Sequence, residues 1–231
     1  MRYSLLLFLT ITALAIDPTI GKKLVFSDDF NADVIDEAKW NVHGAPEVLT
    51  LVKGGKDKVL RIGLKQGADM IQWNGVNTKG KFEQTFGYFE VSMRVNAHKG
   101  HSCSFRVRPD DEKQVPFADL VWEAGGDDRF IPWAHTANDN GQHDYRPEGA
   151  GKQALRAGEA FKKFNTYGVL WTEKSYIWYI NGKQSFKLDK VEMKKPMIVL
   201  LTHGVGEWER SSLNLKQLPD DVDFDWVKVW K

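Results

Sequence analysis

From Gly87 to Val95 the chain reads GYFEVSMRV, with Phe89, Val91, Met93 and Val95 on one parity and Tyr88, Glu90, Ser92 and Arg94 on the other. Successive side chains on a strand point to opposite sides of the pleat, so this alternation predicts a strand with one dry and one wet face. His101 to Arg108 repeats it, setting Cys103, Phe105 and Val107 against Ser102, Ser104, Arg106 and Arg108. Tyr176 to Leu188, YIWYINGKQSFKL, is two such runs joined by Asn181-Gly182. That pair accepts the positive φ angles of a type I′ turn and predicts a hairpin. LVFSDDF (Leu24 to Phe30) reads as a further strand and Asp36 to Trp40 as at most one helical turn. The stretch around Leu155 to Phe164 is the one plausible helix of any length. Many short strands with Gly-rich turns predict an all-β chain, a β-sandwich of two antiparallel sheets packed face to face.

The 231 residues suit one such domain with a core large enough to need no staples. Charge is close to balanced, with 32 basic and 31 acidic residues and no long block of either sign, so nothing in the totals points to nucleic acid. The start, MRYSLLLFLTITALA, has a basic Arg2, an apolar run from Leu5 and a small-x-small end at Ala13 and Ala15. It reads as a signal peptide over residues 1–15, leaving 16–231 as the folded domain of a secreted or periplasmic protein. No later run reaches the ~20 apolar residues of a spanning helix. A lone cysteine, Cys103, excludes an internal disulfide. The chain is expected to be a monomer.

Phe117 to Gly126 reads FADLVWEAGG, which puts Asp119, Val121 and Glu123 on one face of a strand and Leu120 and Trp122 on the other. Two carboxylates on a shared face are the raw material of acid/base catalysis. The alternative is that both are solvated residues on a wet face.

The flanks of this run resemble glycoside hydrolase family 16. LVFSDDFN with the following Trp40 is similar to the family's opening strand, GYFEVSMRV to its Gly-Tyr-Phe-Glu-Ala-Arg strand, and FNTYGVLWTEKSYIWYING to its Phe-His-Thr-Tyr run and hairpin. DFDWVKVW (Asp223 to Trp230) is similar to its closing strand. The resemblance spans Leu24 to Trp230 and implies a concanavalin-like jelly roll with a concave glycan-binding cleft. It also implies a Glu-x-Asp-x-Glu strand in which the first Glu is nucleophile and the last acid/base. Here that strand reads Asp119-x-Val121-x-Glu123. Glu123 is then the expected acid/base and Asp119 the expected nucleophile, one methylene short, with no hydrogen-bonding group at Val121 between them. A bulged register fits worse, because it would put Phe117 and Trp122 at the glutamate positions. The histidine of the Phe-His-Thr-Tyr run is Asn165 in this chain.

Sugar rings stack on aromatic planes, and the chain has nine tryptophans. Trp40, Trp171, Trp178, Trp226 and Trp230 sit in strand or anchor contexts and read as packing, and Trp122 should face the interior. Trp73, Trp133 and Trp208 lie in or beside Gly, Asn or Pro-rich segments and are the expected cleft residues. His135 resembles a family position that lines the cleft, whereas His43 and His98 read as ordinary surface residues. Ser102 and Arg106 stand where the resemblance implies two tryptophans. A guanidinium there, with Arg94 and Arg108 on matching faces, suits an anionic glycan. The alternative is that Arg106 pairs with a neighbouring acid such as Asp119 or Glu123. The resemblance further implies a structural calcium near Asp29 and Asp225, although two carboxylates are far from a shell of 6 to 8 oxygens. No cofactor is otherwise required.

Together these readings predict a secreted, polysaccharide-active β-glycoside hydrolase, endo-acting on an anionic or β-linked glycan. The alternative is a catalytically inactive, lectin-like protein that keeps the cleft and has lost the chemistry.

Overall fold

The computed structural model of the chain describes residues 17–65, 73–95, 100–111, 113, 115–124, 129–146, 155–156, 163–189, 191, 193–206 and 210–231. Two antiparallel sheets face each other. The back sheet comprises β1 (Leu24–Asp28), β3 (Leu49–Lys53), β4 (Lys58–Leu64), β6 (Gly87–Arg94), β12 (Asn165–Trp171), β13 (Tyr176–Ile180), β14 (Lys183–Leu188) and β16 (Asp220–Trp230), ordered β14-β13-β12-β6-β16-β4-β3 with β1 also paired to β16. The site sheet comprises β2 (Asn41–His43), β5 (Asn74–Asn77), β7 (Ser102–Arg108), β8 (Phe117–Ala124), β9 (Arg129–Ala137), β10 (His143–Arg146), β11 (Leu155–Arg156) and β15 (Ile198–Gly204), ordered β10-β9-β8-β7-β15-β5-β2 with β11 on β9.

The alternation read from the sequence sorts residues onto these faces. Phe89, Val91 and Met93 of β6 meet Cys103, Phe105 and Val107 of β7 and Leu120 and Trp122 of β8 in one buried cluster between the sheets. Trp122 is 1% exposed and its indole N–H donates to the Gly168 carbonyl at 3.1 Å, so the largest side chain of β8 is anchored to the opposite sheet. Truncating such a residue costs about 3–5 kcal/mol. Asn181 and Gly182 take φ of 48° and 72°, as the type I′ hairpin between β13 and β14 requires. Asn165, at the position implied to be histidine, accepts the Asn181 side-chain amide at 3.0 Å and so ties β12 to that turn.

Three sequence expectations change. Leu155 and Arg156 form a short strand on β9, not the start of a helix, because pairing with the β9 backbone outweighs the weak helical pattern. Arg94 lies on β6 in the back sheet, where it bonds Asp223 at 2.6 Å and covers the Phe164 ring. It therefore belongs to a different sheet from β8. Trp40, Trp171 and Trp178 are core, but Trp226 and Trp230 are only half-buried, with Lys228 over the Trp226 ring at 4.4 Å.

Candidate functional site

β8 pairs with β7 on one side and β9 on the other without a register shift, so no bulge interrupts it between Asp119 and Glu123. Regular pairing carries residues of like parity across the site sheet in rows on its outer face, away from the core. One row runs Asn41, Asn77, Leu200, Arg106, Val121 and Trp133. A second runs His43, Gly75, Thr202, Ser104, Glu123 and Ile131. Asp119 is opposite His135, which is opposite Tyr145. The structure thus brings Arg106, Asp119, Trp133 and His135 together on this face, with Glu123 in register beside them.

Asp119 is 2% exposed, not solvated. Arg106 closes on it from the adjacent strand with both arms of the guanidinium: Nε donates to Oδ1 at 3.3 Å, and Nη2 donates to Oδ2. Between them Val121 is 1% exposed although it points away from the sandwich core, lying in register between Arg106 and Trp133. Both of Asp119's oxygens are held by Arg106, and the residue between the two acids offers neither a proton nor a lone pair.

Trp133 and His135 lie side by side on β9 with rings 6° from parallel and centroids 6.0 Å apart. Burial holds the His135 imidazole below its ordinary pKa, against the opposing pull of Asp119, so this half-buried ring is neutral at pH 7. Trp73 lies over Gly204 at the end of β15, where a Cβ on that glycine would come 3.0 Å from the indole. Ser104 and Thr202 share a 2.6 Å hydroxyl bond across β7 and β15. Trp208 lies outside the described residues.

His43 is not the ordinary surface residue its sequence context suggests. It stands on β2 above Gly75, its Nδ1 is buried without a hydrogen-bond partner, and burial first and the Arg108 charge second lower its pKa. The signal missed was Gly75, whose missing side chain leaves room for the ring.

Asp29 and Asp225 are engaged locally: Asp29 is exposed and accepts the Asn31 N–H at 3.3 Å, and Asp225 accepts the Ser92 hydroxyl at 3.1 Å. Neither joins a cluster of three metal-binding side chains among the described residues. As they stand, these two carboxylates do not build the oxygen shell calcium needs.

A sequence profile describing "Glycosyl hydrolases family 16" matches residues 38–228. The chain belongs to glycosyl hydrolase family 16. Among curated relatives, an endo-1,3-1,4-β-glycanase, ExsH, of Rhizobium meliloti is 31% identical over 67% of this chain and 32% of its own length. β-Porphyranase E of Zobellia galactanivorans is 22% identical over 89% of this chain and 85% of its own. The chain spans less than half the length of the two R. meliloti glycanases it matches, at 32% and 43%. The laminarinase of Rhodothermus marinus shares the fold, with a TM-score of 0.74 and 19% identity over 91% of this chain and 97% of that one. Family 16 and these relatives are polysaccharide-active glycosidases, and this member carries their two-sheet jelly roll.

Proposed function

We propose that this family 16 member binds a β-linked polysaccharide along the outer face of β7, β8 and β9, with the retaining route to hydrolysis closed at Asp119. The observation that carries the reading is the Arg106–Asp119 pair. A nucleophilic carboxylate must offer an oxygen lone pair to the anomeric carbon, in concert with an acid about 5–5.5 Å away. Asp119 begins one methylene short of a glutamate, on a strand where i and i+4 are ~13 Å apart at Cα. Freeing it from Arg106 leaves a buried charge unpaired, a penalty of about 3–5 kcal/mol, or roughly two to three and a half decades in rate. Val121 offers no hydrogen bond to separate the two carboxyl pKa values.

Trp133 supplies a half-buried aromatic plane, and the neutral rings of His135 and His43 can donate to and accept from sugar hydroxyls. The case for an anionic glycan weakens, because Arg106 is neutralised by Asp119 and Arg94 lies in the back sheet. A neutral β-glucan fits this face better. Export through the leader at residues 1–15 accords with an extracellular polysaccharide, and is checked by the mass of the mature chain recovered from the medium.

Hydrolysis remains a second reading on one specific ground: β8 is unbulged and keeps Glu123 in register opposite Ser104 and Ile131. One experiment separates the two. Affinity electrophoresis and reducing-end release are run on β-1,3-glucan, mixed-linkage glucan, agarose and carrageenan. Retardation on a β-glucan without sugar release supports the binding reading. Release that disappears in Glu123→Gln replaces it with hydrolysis.

A further inference from the structure

Away from the outer face, three side chains converge at one end of the sandwich, between the sheets. His203 lies on β15 and His101 immediately precedes β7, both in the site sheet, while Asp220 opens β16 in the back sheet. All are buried, at 1%, 0% and 0% exposure, and a ligand atom from each lies within 4.8 Å of the others.

The hydrogen-bonding pattern narrows what the cluster does. His203 Nδ1 is 3.0 Å from the Ile62 carbonyl oxygen, and a carbonyl only accepts, so Nδ1 carries the hydrogen. In the neutral imidazole Nε2 is then a bare lone pair. It faces Asp220 Oδ2 at 3.6 Å, too far for a hydrogen bond. A lone pair and a carboxylate oxygen facing each other in a dry interior repel unless a positive charge sits between them. Two ligand atoms each ~2.1 Å from a tetrahedral ion lie ~3.4 Å apart, close to what is seen. The Nδ1–H to carbonyl bond is also the contact that orients a metal-binding histidine.

We propose that His101, His203 and Asp220 form a site for a divalent transition-metal ion, with two imidazoles and one carboxylate favouring Zn2+. The ion takes His203 Nε2 and an Asp220 oxygen. His101 Nδ1, now 2.7 Å from Asp220 Oδ2, turns from the carboxylate to the metal, and the hydrogen shared by the two moves to His101 Nε2 so that the ring binds as neutral imidazole. The second carboxylate oxygen or a water fills the fourth position. The ion ties β15 to β16 across the core. In a chain with one cysteine it serves where a disulfide cannot.

The test uses the full chain, stripped with EDTA, dialysed and titrated with ZnCl2, with metal content and thermal unfolding as readouts and Co2+ absorption as a geometric probe. We expect one Zn2+ per chain, a raised unfolding midpoint and the intense visible bands of four-coordinate Co2+. His203→Gln and Asp220→Asn should each weaken binding at least about tenfold and abolish the midpoint shift. If neither variant folds, the wild-type Co2+ spectrum decides, since a surface histidine gives weak octahedral bands. Failure of the folded wild-type chain to bind Zn2+, equal affinity in wild type and both folded variants, or an octahedral spectrum would overturn the proposal.

Discussion

Trp133 and His135 present nearly parallel rings, 6° apart in orientation, on the same face of β9 that carries Val121 and Asp119 on the neighbouring strand. A sugar lying across β8 meets this pair at one end of the Arg106–Val121–Trp133 row. Trp133→Ala should weaken glycan retardation by about tenfold with little loss of fold, since it removes a large half-buried plane outside the core. Unchanged retardation in a folded Trp133→Ala protein would move the site elsewhere.

The His135 contribution has a pH sign. Its folded pKa is lowered, mainly by burial, so the unfolded chain takes up the proton first as pH falls. The stability it contributes is fully present above the unfolded value near 6.5 and is lost as pH falls through the folded one. His135→Gln should therefore lose less stability than wild type between pH 7 and pH 5. Denaturant titrations at the two pH values check this.

The Arg106–Asp119 pair predicts non-additivity. Arg106→Ala alone leaves a buried carboxylate and should cost about 3–5 kcal/mol, whereas Arg106→Met with Asp119→Leu should be close to neutral. Urea midpoints of the single and double variants give the coupling. Additive losses would mean that the pair carries no buried charge.

Restoring Asp119→Glu and Val121→Asp alone should not return hydrolysis, because Arg106 stays in place to bind either new carboxylate. Adding Arg106→Trp removes that partner and supplies the aromatic residue the family resemblance implies there. Cleavage with retained configuration, read by proton NMR of fresh product, is expected in the triple variant only, since such roles act as a unit. Cleavage by the double variant would show that Arg106 is not the block.

Glu90 is a half-buried carboxyl on β6, bonded by the Tyr88 hydroxyl at 2.8 Å, and its partial burial raises its pKa. A raised folded value favours the native state below the unfolded pKa and loses that contribution as pH rises through the folded one. Glu90→Gln should accordingly raise the thermal midpoint at pH 7, with the gain shrinking toward pH 4. A gain that is constant with pH would point to packing instead of ionisation.

What the sequence by itself determined was local. The Asn181-Gly182 turn needs only positive φ at two adjacent positions, and the dry faces of β6, β7 and β8 need only period two, so both could be read without knowing any partner strand. Motif order then carried the jelly roll. Period two assigns a residue to a face but not to a sheet, which is why Arg94 and Arg106, alike in pattern, ended in different sheets. Leu155 and Arg156 became a strand because an available β9 backbone outweighed a weak helical pattern. Register between strands decided the rest. It set Arg106 against Val121 so that its guanidinium reaches Asp119, placed His43 above Gly75, and gathered His101, His203 and Asp220 from separate segments of the chain. Those contacts arise from long-range pairing and sheet stacking, whose energies depend on which backbones meet, and no short stretch of sequence contains that information.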